Sequence, residues 1–218
     1  MSGARLALVA AAAGLAGCPG TVTRLDRLPK TTPLAAPVSI DAPGPLVHEA
    51  TGFAFAEAYG RFRRVQALRY DTAGLHVGVG YDARRPGCAV VATFFLRPAP
   101  RMAFVAAAPE VVASVERGWL AEELARATAE IRAQHAVESP RETPAAAAPR
   151  GALLDGPSFV FEEGRTVSEL RLQLYDHRWI VKSRFTYPAS CAEEARRRLD
   201  ALVPALPWEA ADGGGPRS

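Results

Sequence analysis

Lysine is almost missing from this chain: Lys30 and Lys182 stand against twenty-four arginines. The formal charge is nevertheless only +3 and the pI about 9.0, so the skew lies in residue identity rather than net charge, and a nucleic-acid-binding surface is not indicated. Cysteine is scarce as well, at three residues, with no pair at zinc spacing. The histidines His48, His76, His135 and His177 form no HExxH and no i,i+4 helical pair, so metal catalysis has no support in the sequence. Gly78-Val79-Gly80 lacks the third glycine and the following helix of a dinucleotide fingerprint. Ser168, Ser183 and Ser190 lack a nucleophile elbow, and the adjacent Glu162 and Glu163 would point to opposite faces. No catalytic residue, metal or cofactor is therefore expected. Beyond the first seventeen residues no apolar run is long enough to cross a bilayer.

The N-terminus carries the most specific pattern present. Arg5 is a short positive region, Leu6 to Ala13 an apolar stretch, and Leu15-Ala16-Gly17-Cys18 a small-residue site ending in cysteine. This resembles a bacterial lipobox. The resemblance implies removal of residues 1–17 and acylation of Cys18, which would tie the chain to a membrane through two or three acyl chains, each buried methylene adding about 0.8 kcal/mol. The expected location is the cell envelope, facing the periplasm, with inner and outer membrane both open. Cys88 and Cys191 then remain in a compartment where disulfides persist, either bonded to each other or as two buried thiols.

Pro19, Pro29, Pro33, Pro37, Pro43 and Pro45 make residues 18–46 read as a semi-rigid tether of about twenty-eight residues after the cysteine. One domain is expected over 47–208, with 138–150 a flexible internal loop and 209–218 a disordered tail. Strands are expected at Gly52–Phe55, Arg61–Tyr70, Leu75–Tyr81 and Cys88–Leu96, the last apolar on both faces, as for a central strand covered on both sides. Pro109 opens a helix running to about His135, with Leu120, Leu124, Ala127 and Ile131 on its buried stripe, Glu122, Glu123, Arg126 and Glu130 opposite, and a kink or break at Gly118.

Phe159 and Phe161 mark one more strand, followed by a long hairpin. In its first arm Leu170, Leu172 and Leu174 alternate with Glu169, Arg171, Gln173 and Tyr175, predicting one buried and one wet face. In its second, Trp179, Val181, Phe185 and Tyr187 alternate with Lys182, Arg184 and Thr186. Ser190 and Glu193 have capping-box spacing, and the helix that follows buries Cys191, Ala195, Leu199 and Leu202. The sum is an α+β domain: an antiparallel sheet of about seven strands with one long and one C-terminal helix packed on it. The WIVKSRFTYP run from Trp179 to Pro188, the Gly74–Tyr81 strand and the intervening helix resemble small bacterial envelope proteins of the PsbP-like α/β sandwich type. That resemblance spans residues 50–208. It implies a non-enzymatic accessory or assembly role and carries over no catalytic residues.

Two features are candidates for recognition. Gly78 and Gly80 leave one face of their strand bare, either filled by a helix or aromatic ring or open as a groove. Arg61, Arg63, Arg64, Arg69, Arg84, Arg85, Arg97 and Arg101 cluster in sequence, either as a solvated face or as a contact for anionic head groups or an acidic partner. Three function classes follow. The first is a monomeric, lipid-anchored module that binds an envelope protein. The second is a carrier or sensor holding a small apolar ligand near Trp119, Phe94 and Trp179, and the third is a hydrolase of unfamiliar type.

Overall fold

The structure is a computed structural model and describes residues 28–100, 108–135, 141–143, 153–161 and 164–208. In chain order the first elements are β1 (Pro33–Ser39), β2 (Leu46–Val47), β3 (Ala54–Phe55), β4 (Ala58–Tyr59), β5 (Phe62–Asp71), β6 (Val77–Ala83) and β7 (Val90–Pro98). Next come α1 (Pro109–Gln134), β8 (Arg141–Thr143), β9 (Leu153–Phe161), β10 (Thr166–Tyr175), β11 (Trp179–Pro188) and α2 (Ala192–Leu202).

The hairpin forms in the expected register, from Thr166↔Pro188 to Tyr175↔Trp179. Its three-residue turn, Asp176 to Arg178, places Asp176 and His177 at φ 48° and 52°, in the left-handed region, and closes with Arg178 N–H on Tyr175 O at 3.3 Å. One antiparallel sheet then runs β1-β5-β6-β7-β11-β10-β9-β8, with β4 on β5 and β2–β3 as a separate small hairpin. The two halves of the chain meet where β7 pairs β11, from Trp179↔Pro98 to Thr186↔Val91.

Strand alternation sorts the core into two layers. On one face Val77, Val79, Tyr81, Phe94, Leu96, Val181 and Phe185 pack under Ala195, Leu199 and Leu202 of α2, with Phe53 and Phe55 closing the margin. On the other, Leu170, Leu172, Leu174, Ile180, Phe159 and Phe161 lie beneath Leu120, Ala127 and Ile131 of α1. Gly156 permits this docking, since a Cβ there would meet Leu124 Cδ1 at 2.6 Å and Leu170 Cβ at 2.9 Å.

Several expectations change. Residues 33–39 are not tether but edge strand β1, reaching β5 at Pro33↔Asp71 and Val38↔Arg69; prolines are tolerated at such an edge, where one side needs no ladder donor. Within the expected 138–150 loop, Arg141–Thr143 pairs β9 as β8, and the rest of that loop lies outside the described residues. α1 is continuous through Gly118. Glu123, assigned to the wet side, is buried, because β7 and β11 offer it cations. The expected wet face of the first hairpin arm is half-buried: Glu169 and Arg171 pair with Arg196 and Asp200 of α2, Gln173 is half-buried, and Tyr175 is buried. Ser190 does not cap α2; it sits inside a 3-10 turn, Ala189–Cys191, and the helix starts after Cys191. β7 is central and buried on one face, but on the other only half-covered, with Thr93, Phe95 and Arg97 half-buried and Val91 41% exposed.

Candidate functional site

The bare strand face resolves differently at its two glycines. At Gly78 an aromatic ring fills the space: a Cβ would stand 2.9 Å from Tyr70 Cε2 and 3.2 Å from Phe95 Cδ1. At Gly80 the nearest atoms would be Gln66 Cβ at 3.7 Å and Val65 Cγ2 at 3.8 Å, ordinary contact.

The arginines do not act as one patch. Arg64 is structural, its Nη1 bonding Phe55 O at 2.9 Å and its Nη2 bonding Gly44 O at 2.6 Å, so it straps the N-terminal segment to the sheet. Arg97 is drawn to Glu123, and Arg101 lies outside the described residues. Arg61, Arg63, Arg84 and Arg85 are exposed at one end of the sheet, with Arg84 Nε 2.7 Å from Asp82. The N-terminal segment enters at the opposite end, where Thr32 N–H bonds Thr72 Oγ1. Ten residues of β5 separate the two ends, roughly 30 Å of strand. Cys18 itself lies outside the described residues, and among those residues no helix is long and apolar enough to cross a membrane.

Glu123 is the polar hub that sequence reading missed. Its side chain is 1% exposed and takes an ion pair from Arg97 of β7, another from Arg126 at 2.7 Å, and Lys182 of β11 at 3.8 Å. Burial pushes its carboxyl up, but hydrogen bonds from Arg126 and Arg97 outweigh this and hold it below the usual range. Burial lowers Lys182, against the opposing pull of Glu123 and Glu130. A carboxylate this saturated with cations is an ionised docking pin for α1 and has no free proton to move.

Beside that hub the α1 face of β5, β6 and β7 is open. Val65 is 57% and Val91 41% exposed, while Leu68, Tyr70, Thr93 and Phe95 are half-buried. Arg184 projects on the same face, in register with Thr93. Its Nε bonds Ser168 Oγ at 3.0 Å, Ser168 is fully buried, and burial lowers the guanidinium pKa.

Two histidines are also inside. His48, 4% exposed, sets its ring edge-on to Trp179 and bonds Thr51 Oγ1 at 2.8 Å through Nδ1, while Nε2 makes no well-formed hydrogen bond among the described residues, although the ring lies near the Gly74 and Leu75 backbone. His76 stacks on Tyr70 at 4.7 Å, and burial, aided by Arg97, lowers its pKa to about 4. Among the described residues no three His, Cys, Asp or Glu side chains gather as a metal site.

Two shallow, open depressions mark the surface. One, about 400 Å³, is lined by Asp41, Glu57, Arg63 and Arg64; the other, about 450 Å³, lies between Leu124 and Thr128 of α1 and Leu154 and Pro157 of β9. The three side chains considered as a ligand lining do not converge. Phe94 and Trp179 are packed in the α2-side core, whereas Trp119 joins the α1-side cluster. Cys88 and Cys191 do meet, their Cα atoms 5.8 Å apart in disulfide geometry, tying the approach to β7 to the start of α2. No known family, curated protein or solved structure matches this chain.

Proposed function

We propose that this chain is a lipid-anchored, non-catalytic module of the bacterial cell envelope that works by binding another protein, in assembly or maintenance of that envelope. The observation that carries the reading is the open half-sheet on β5, β6 and β7. Val65 and Val91 are exposed there beside the half-buried Leu68, Tyr70 and Phe95, on a face that α1 leaves open and that also carries Gln66, Asp82 and Thr93. Antiparallel strands with α1 and α2 on opposite faces are in keeping with a PsbP-like sandwich. The lipobox ending at Cys18 and the Cys88–Cys191 bridge both fit an oxidising compartment outside the cytoplasm. Since Leu28 already packs on the core and Thr32 bonds Thr72 before β1 begins at Pro33, the tether is shorter than proline content suggests: at most the nine residues between Cys18 and Leu28, a reach of roughly 30 Å. The partner is therefore close to the membrane.

Membrane fractionation of wild-type and Cys18→Ser cells, with affinity capture of the full chain from both, tests this reading. The expected result is globomycin-sensitive processing, loss of membrane association in the variant, and one reproducible envelope protein retained by the wild type. Unchanged membrane association in Cys18→Ser would overturn the anchor. A small apolar molecule in native mass spectra, with no protein partner, would shift the reading to a carrier.

A further inference from the structure

Arg184 differs from the other cations on its side of the sheet. Arg97 is paired with Glu123, and Lys182 sits between Glu123 and Glu130 at 3.8 and 3.9 Å. Arg184 is half-buried and, among the described residues, has no carboxylate partner, its one bond being from Nε to the buried Ser168 hydroxyl, which in turn is 3.4 Å from Thr186 Oγ1. Neither Nη group bonds any of the described residues. A guanidinium fixed at Nε, with its remaining donors unused and its surroundings partly desolvated, is preorganised for a carboxylate.

The surface next to it is low, and apolar groups on it alternate with polar ones. Thr93 and Val91 of β7 lie across from Arg184 and Thr186, then Gly80 with no side chain and Asp82 of β6, then Gln66 and Leu68 of β5, with Val65 at the bulge beside Gln66. We propose that this face docks an extended segment of a partner protein that carries a carboxylate flanked by apolar residues, the carboxylate pairing with Arg184 and the apolar residues lying over Val91 and Val65. The inference deepens the functional reading above and rests on it for the kind of partner. Charge complementarity selects a protein segment over a bilayer. Asp82, Glu123 and Glu130 border the same face, so one carboxylate is accepted at Arg184 whereas a sheet of phosphates is repelled.

The test pans a random-peptide phage library against the full chain purified in detergent, as wild type, Arg184→Gln, Arg184→Lys, Val91→Glu and, as a cation control, Arg85→Gln. Arg184 and Val91 lie outside the two cores, and thermal melts of each variant confirm folding. Wild type and Arg85→Gln should enrich peptides with Asp or Glu among apolar residues. Arg184→Gln should weaken the selected peptides about 10- to 100-fold, Arg184→Lys less, and Val91→Glu should abolish enrichment. Selected peptides that ignore Arg184→Gln would overturn the proposal. So would Arg184-dependent flotation with phosphatidylglycerol vesicles, or Arg184-dependent dimerisation in sedimentation. A partner captured in cells but contacting Arg61, Arg63 or Arg85 would end this inference and leave the functional reading standing. Arg184-dependent peptide binding with no captured partner would do the reverse.

Discussion

Gly156 and Gly80 look alike in sequence and differ in what surrounds them. A methyl at Gly156 would press on Leu124 Cδ1 at 2.6 Å and on the Leu170 carbonyl oxygen at 3.0 Å, so Gly156→Ala must lift α1 or shift β10. The expected loss is about 1–3 kcal/mol in urea unfolding. Gly80→Ala meets nothing closer than 3.7 Å and should change stability by less than about 1 kcal/mol; equal losses at both sites would contradict the packing described. Burial lowers the pKa of His48 and His76, that of His76 to about 4. The unfolded chain therefore binds more protons below pH 6.5, and stability falls as pH drops from 6.5 towards 4. Glu123, held below its ordinary 4.5, acts in the same direction: its contribution is present above 4.5 and is lost as pH falls through its depressed folded value. Urea midpoints from pH 7.5 to 4.5 should decline steadily, with a shallower decline in His76→Phe, which keeps a ring on Tyr70. A flat profile would place these histidines in water. None of this was legible in composition, since a lone histidine in a chain carries no sign of what packs on it.

Among the elements, period-two alternation made the hairpin readable, because each side of β10 and β11 faces a different layer. Helix α1 was only half readable. Its Leu120, Ala127 and Ile131 stripe was evident, but Glu123 lies on that stripe and was assigned to solvent by residue type alone. The cations that make its burial tolerable come from β7 and β11, twenty-six residues earlier in the chain for Arg97 and far later for Lys182, which local periodicity does not register. Glu123→Ala would leave Arg97 and Lys182 without their shared counter-charge under α1. A loss of about 2–4 kcal/mol is expected, set below the fully buried case because Arg97 is 27% and Arg126 48% exposed. The neighbouring exposed Glu122→Ala should cost under about 0.5 kcal/mol. Matching urea midpoints for the two variants would remove Glu123 as the anchor of α1. The tether boundary failed for a related reason, since Pro33 and Pro37 mark an edge strand as readily as a linker, and only pairing with β5 tells them apart.

At the scale of the molecule, the α+β class and the succession of strands, long helix, strands and last helix were readable, whereas the strand number was not: about seven were expected, and the described residues form eleven, nine of them in the main sheet, the extra ones being short or proline-bearing edge segments. The incomplete cover of the sheet was not readable either. Val90 to Phe95 is apolar on both sides, which sequence reading takes as two covered faces, and the structure fully covers only one. The Cys88–Cys191 bridge spans 103 residues and joins the two halves independently of the sheet. Its loss in the Cys88→Ser, Cys191→Ser double variant should lower stability by about 2–4 kcal/mol, within the roughly 4.7 kcal/mol that loop-closure entropy allows. Non-reducing peptide mapping of the full chain isolated from cells without reductant should recover the linked pair, and two free thiols would refute it. The most direct test of the whole account is a photo-crosslinking residue placed at position 91 of the full chain in living cells. The account predicts one reproducible adduct with an envelope protein, its contact peptide acidic and apolar, and its yield lost in Arg184→Gln. No protein adduct at position 91, or one indifferent to Arg184, would contradict it.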